Sequence, residues 1–264
     1  MDIIVLVKQV PDTTEIKIDK ETNTLIRAGV QSIVNPNDLA GVEEALKLKA
    51  RYGGSVSVVT MGPMQAESML TELYARGVDA CYLLSDRAFA GSDTWATSTI
   101  LSSFLKTLKY DLIIAGYQAI DGDTAQVGPQ VAEFLDIPQV TYLSEIVSVS
   151  DKDLIVKKRT DSEIMTLSVE MPVLVTTLAD MNKPRYMDAW NIYNNTDRKV
   201  HIVTFNDLQI DPTHIGLKGS PTKVKKTYVK PVQAKSDKVV MTPEDAAKLI
   251  TKLLYPYMEV QNHE

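Results

Sequence analysis

The 264-residue sequence has one cysteine and three histidines. An internal disulfide therefore cannot form, and a multi-Cys or His-rich metal centre has too few ligands to draw on. Positive charge is also in deficit: 28 Lys and Arg stand against 34 Asp and Glu, a net charge of −6. That argues against nucleic acid as the main partner, because such binding rests largely on basic side chains neutralising phosphates. Aromatic residues make up only 6%. No apolar run reaches the ~18 residues of a membrane span. The start, Met1-Asp2-Ile3-Ile4-Val5-Leu6-Val7-Lys8, lacks a basic leader and a cleavage site. The expectation is a cytoplasmic protein with no membrane span.

What is present is a globular composition, 44% hydrophobic and 23% charged, enough to bury a core. Ile3 to Val7 is a β-branched run of the kind buried inside a parallel sheet. Ile16 and Ile18, then Leu25 and Ile26, predict a small hairpin. Pro36 opens a helix that Asn35 or Asn37 can cap, and Gly53-Gly54 ends it. Strands over 55–60, 81–84 and 111–115 alternate with helices over 64–75, 94–108 and 124–135. This order predicts an α/β fold: a mostly parallel sheet with helices on both faces. After Pro138 the character changes. Segments 153–159 and 164–169 resemble an antiparallel hairpin, and 173–177 fits one more central strand. From Pro184 onward the sequence turns loop-like, and only 242–254 restores an amphipathic helix. The expected organisation is an α/β domain over 1–190 and a C-terminal arm over 191–264 that wraps another chain.

The sharpest chemical signal is Gly116-Tyr117-Gln118-Ala119-Ile120-Asp121-Gly122-Asp123-Thr124-Ala125-Gln126-Val127-Gly128-Pro129-Gln130. It follows a buried strand and starts a helix, where open α/β sheets place ligands. Small residues and helix-start amides there let phosphate oxygens approach the backbone. Asp121 and Asp123 oppose a phosphate, so one of them more plausibly caps the helix or holds the loop; an Asp/Gly turn with a helix cap accounts for the same residues. Lys8 to Asp12, Asn35 to Asp38 and Met61-Gly62-Pro63 are weaker signals. The exits at Lys8 and Met61 join that of the 116–130 segment on one rim. No nucleophile–base–acid set is visible, and Cys81 sits in an apolar run as a core residue.

Val7 to Asp12 ("VKQVPD"), Asn35 to Asp38 ("NPND"), the segment from Gly116 and Asn182 to Tyr186 ("NKPRY") occur in the order and spacing of a known family. The chain resembles the beta subunit of electron transfer flavoprotein. A further signature runs from Val156 through Lys158, Asp161 and Glu163 to Leu167, Pro172 and Thr176, departing at Ser162 and Met165. The resemblance implies an adenine-nucleotide-binding α/β domain followed by an arm that embraces the alpha subunit. The conventional branch looks like "DDDCNQTG" and "KRVxD" and holds a structural AMP. Gly122, Thr124, Ala125, Val127 and Pro129, with "KQVPD", are similar to the electron-bifurcating branch, which holds a second FAD. That implies FAD bound by Leu6, Lys8, Asn37, Asp38, Met61, Asp121, Gly122, Asp123, Thr124, Ala125, Gln126, Val127, Gly128 and Gln130. It further implies NADH as donor, ferredoxin or flavodoxin as one acceptor, and a partner dehydrogenase reached through the alpha-subunit FAD. Met187 to Tyr193 resembles the loop that docks that dehydrogenase, with Ala189 where the conventional branch carries a leucine. Two alternatives stay open: a conventional carrier holding AMP, and a non-redox nucleotide-binding module.

Overall fold

A computed structural model describes residues 1–12, 17–18, 25–26, 32–195, 197–223 and 238–258. They fall into two units, Met1–Lys225 and Lys226–Glu264. In the first, the strands are β1 (Asp2–Leu6), β2 (Gln9–Pro11), β3 (Lys17–Ile18), β4 (Leu25–Ile26), β5 (Ser32–Val34), β6 (Ser55–Met61), β7 (Ala80–Leu84), β8 (Leu112–Gly116), β9 (Gln139–Val149), β10 (Asp153–Arg159), β11 (Ile164–Glu170), β12 (Val173–Thr177) and β13 (His201–Val203). The helices are α1 (Pro36–Tyr52), α2 (Glu67–Arg76), α3 (Thr94–Leu105), α4 (Val127–Leu135), α5 (Ala189–Asn194) and α6 (Gly216–Gly219). The second unit contributes α7 (Pro243–Met258).

Nine strands form one sheet in the order β11-β10-β9-β12-β8-β1-β6-β7-β13. The pairings from β12 through β13 are parallel, and β9-β10-β11 are antiparallel. The period-2 alternation of a strand divides β1 between two cores. Ile3 and Val5 pack with Val42 and Leu46 of α1 and Leu70 and Leu73 of α2. Ile4 and Leu6 pack with Ile100 and Leu101 of α3 and Val131 and Ala132 of α4. Helices thus cover both faces, as the β-α-β order dictates, and each fully buried Leu, Ile or Val stabilises the layer by roughly 1.5–3 kcal/mol. From β1 the chain builds outward through β6 and β7. It then crosses back and builds the other way through β8. The reversal opens a crevice at the carboxyl ends of β1 and β8, the position where such sheets bind ligands.

Several boundaries differ from the sequence expectation. The helix expected from Thr124 starts at Val127, because Asp123 and Ala125 take left-handed backbone angles (φ 50° and 53°) that no right-handed helix admits. Helix α3 stops at Leu105 rather than 108. The eleven-residue β9 was not expected; its burial follows no clean alternation. Asn35 sits at the start of α1 but makes no side-chain cap bond; its amide is used elsewhere, as described below. The expected break at 190 also moves. β13 pairs with β7, and Val200, Val203, Leu208 and Ile215 are buried, so the first unit continues to Lys225. The expected hairpin is present as the β3–β4 pair; Ile16 lies outside the described residues. Among the described residues no helix is long and apolar enough to cross a membrane.

Candidate functional site

The crevice is a cleft of about 370 Å³, within the range of small-molecule sites. Leu6, Val7 and Lys8 enter it from the end of β1, Val59 and Met61 from β6, and Ala115 to Ala119 from β8. Ser92, Asp93, Thr94, Thr97 and Leu101 come from the approach to α3 and its first turns, and Gly122 and Thr124 to Gly128 from the loop before α4 and its first two residues. Of the residues singled out from sequence, Leu6, Lys8, Asp38, Met61, Gly122, Thr124, Ala125, Gln126, Val127 and Gly128 line this one cleft.

Asn37, Asp121, Asp123 and Gln130 do not line it, and each has a partner that explains its place. Asn37 is buried; its amide donates to the Gln118 carbonyl at 2.9 Å and accepts from the Ala179 N–H at 2.9 Å. Asp121 receives both bonds of the Lys8 ammonium, at 2.7 and 2.9 Å. Asp123 accepts from the Gln118 side chain at 2.9 Å. Gln130 turns to α3 and accepts from the Ser98 hydroxyl at 3.0 Å. The two aspartates that oppose an anion in the sequence are therefore occupied by Lys8 and Gln118.

Asp38 organises the cleft floor. Its carboxylate accepts from the Lys8 N–H (2.7 Å), the Asn35 amide (2.8 Å) and the Gly116 N–H (3.0 Å). It thus ties the exits of β1 and β8 to the start of α1. Burial pushes its pKa up to about 7, against the three hydrogen bonds that favour the ionised form. Asn35, fully buried, completes the knot: its amide also donates to the Gln118 carbonyl and accepts from the Ile120 N–H. Gly116 is required here, since a Cβ at that position would collide with Asp38 and Asn37.

The wall over this floor suits an anion. No side chain caps the start of α4, and the first amides of a helix have no intrahelical acceptor. Asp123 and Ala125 are left-handed on alternate residues; the Gly122 and Asp123 N–H groups close back on the Ala119 carbonyl, so the amides that face an anion are those from Thr124 into the first turn of α4. The other wall is the start of α3, linked across the cleft where Thr94 donates to the Gln126 side chain at 2.8 Å. Leu6, Val59, Met61 and Leu101 supply an apolar surface beside these polar groups. An apolar wall beside amides that face an anion can hold a flat apolar ring joined to a negatively charged group.

Sequence reasoning missed Ser92, Asp93, Thr94, Thr97 and Leu101. The signal was available: Gly91-Ser92-Asp93-Thr94 is a strand-to-helix exit like the three that were noted, and Asp93 caps α3 by accepting from the Ala96 N–H. The two glycines expected to admit phosphate also separate. A Cβ on Gly122 would meet nothing within 4 Å, whereas one on Gly128 would meet Thr176 at 3.1 Å. Gly128 lets α4 pack against the sheet.

Comparison with known proteins agrees with this architecture. Residues 22–207 match the electron transfer flavoprotein domain. The chain is 49% identical over 255 residues to an electron transfer flavoprotein subunit beta of Clostridium acetobutylicum, covering 96% of this chain and 98% of that one. It is 44% identical over 257 residues to the caffeyl-CoA reductase-Etf complex subunit CarD of Acetobacterium woodii, covering 96% and 98%. It is also 44% identical over 239 residues to the acryloyl-CoA reductase electron transfer subunit gamma of Anaerotignum propionicum, covering 88% and 89%. With 44–49% identity over nearly the whole length of such proteins and a domain match over residues 22–207, the chain belongs to the electron transfer flavoprotein family as a beta subunit.

Proposed function

We propose that this subunit holds an FAD in the cleft, takes hydride equivalents from NADH, and distributes the electrons to two acceptors. One electron goes to ferredoxin or flavodoxin. The other goes to the FAD of an alpha subunit and on to a partner dehydrogenase. The observation that carries the reading is the loop before α4: two left-handed residues, an uncapped helix start, and both nearby aspartates already paired. Two relatives bear the names of acyl-CoA reductase systems, which supports a dehydrogenase-type partner.

When bound, FAD supplies two-electron acceptance and one-electron release. The protein's share is binding and orientation. The amides from Thr124 to Gly128 would receive the phosphates, those of Gly122 and Asp123 being spent on the Ala119 carbonyl; Lys8 offsets Asp121, and Leu6, Val59, Met61 and Leu101 would exclude water from an apolar ring. Docking of the dehydrogenase falls to α5 and the residues before it. Tyr186, Met187, Trp190, Ile192 and Tyr193 are all exposed there, Trp190 at 73% and Tyr193 at 76%. That is a small apolar patch suited to a transient redox encounter. The heterodimer arm is the second unit, where Ile250 and Leu254 of α7 are exposed along with Leu249 and Leu253.

The second reading, a structural AMP in the same cleft, is favoured by the cleft volume, which lies near the lower end of the range for ligand sites. The experiment is a cofactor count on the purified heterodimer. Two flavins and no AMP are expected. One flavin with one AMP overturns the FAD assignment, and neither in this subunit overturns a nucleotide role altogether.

A further inference from the structure

Tyr142 is a bulky residue in the left-handed region (φ 58°), a conformation rarely adopted without a local reason. The cause is a bulge in β9. Val175 pairs with Val140 and Thr177 with Leu143, so Thr141 and Tyr142 together oppose Thr176 alone. Bulges re-aim side chains and are common beside sites. Here the Tyr142 N–H is pinned by the buried Thr176 hydroxyl at 3.0 Å. The ring is delivered to Tyr117, with centroids 5.5 Å apart and planes at 40°. Tyr117 lines the cleft, while Tyr142 is 41% exposed. An aromatic pair is therefore held half-open at the rim, and the backbone conformation that places it is unfavourable for tyrosine.

Its position is set by the sheet. The register carries one level across the strands: Leu6 opposite Ala115, Ala115 opposite Thr176, Thr176 opposite the bulge. Met61, on β6, lies at the other side of the cleft, and four strand spacings separate β6 from β9. At about 4.8 Å per spacing that is about 19 Å. The cleft has an apolar ring site at the Met61–Leu101 end, phosphate-type amides in the middle, and an aromatic face toward the opposite end. A mononucleotide has one planar ring; a dinucleotide has two.

We infer that the Tyr117–Tyr142 pair is the stacking face for the second planar ring of a bound dinucleotide, with the β9 bulge as the device that positions it. This rests on the FAD reading and goes further by assigning the residue that selects FAD over AMP. The test uses the heterodimer stripped of nucleotide, with FAD and AMP as separate probes. Tyr142→Asn removes the ring and suits the left-handed backbone; Tyr142→Phe keeps the ring. A stacked ring is worth about tenfold or more in affinity. Tyr142→Asn is expected to weaken FAD binding to this subunit about tenfold, leave AMP binding unchanged and raise the fluorescence of the remaining bound flavin, with no loss of thermal stability. Tyr142→Phe is expected to match wild type. Equal losses for FAD and AMP, or unchanged FAD binding in Tyr142→Asn, overturn the inference while leaving the FAD reading intact. A wild-type subunit that binds AMP and no second flavin overturns both.

Discussion

Asp38 shows how one carboxylate can set the geometry of a cleft. Its folded pKa of about 7 lies above the ordinary 3.8, so the folded state binds the proton more tightly than the unfolded state. The contribution is complete below about pH 4 and is lost as pH rises through about 7. Unfolding curves at several pH values should therefore show wild type losing stability relative to Asp38→Asn across that window; parallel curves would refute it. The two glycines of the cleft loop give a contrasting pair. Gly128→Val forces methyl groups against Thr176, Ala115 and Leu174 and should cost about 1–3 kcal/mol by overpacking. Gly122→Ala enters open space and should stay within about 0.5 kcal/mol of wild type in denaturant unfolding. Only the second substitution probes phosphate approach without disturbing the helix.

Among the elements, α5 is exposed yet firmly tied. Asp188 caps it by accepting from the Trp190 and Asn191 N–H groups. The Asp188 N–H donates to the Ala75 carbonyl, and Asn195 donates to the Tyr74 carbonyl. Upstream, Arg185 grips Glu43 of α1 with its guanidinium and its own N–H. Burial alone would raise the Glu43 pKa, but these Arg185 bonds outweigh it and hold the carboxyl below its usual range. The "NKPRY" segment is thus a latch, with Asn182 also donating to the Ala40 carbonyl. Arg185→Ala should speed hydrogen exchange of the α5 amides and lower electron delivery to the dehydrogenase while nucleotide content holds. Trp190→Ala should lower that delivery alone. Unfolding stability within about 0.5 kcal/mol of wild type is expected for this exposed site, and a larger loss would make Trp190 structural.

For the whole molecule, the placement of β13 changes where the chain can be cut. A chain ending at Trp190 would lose the strand that pairs with β7 and the buried Val200, Val203, Leu208 and Ile215. It should fold poorly. A chain ending at Lys225 keeps the first unit and should retain nucleotide while failing to co-purify with the alpha subunit. Tight co-purification of that shorter chain would remove the arm from the heterodimer interface.

The sequence alone determined the alternation of strands and helices, the buried parallel strands and the edge of the sheet at which the cleft opens. Those features are local: β-branched runs, helical spacing and Gly or Pro punctuation are read within a few residues of one another. The family resemblance was legible for the same reason, in short unbroken motifs. The tertiary structure decided what the polar residues of those motifs do. Asn35 resembles a helix cap in sequence but spends its amide on Asp38 and on Gln118, 83 residues away. Asn37 and Asp38 likewise find partners 142 and 78 residues distant. It also decided the β9 bulge, which depends on a hydroxyl 34 residues further along the chain, and the docking of β13 onto β7. A hydrogen-bonding side chain takes whichever partner the fold brings within about 3 Å, and no local pattern encodes a partner that far away.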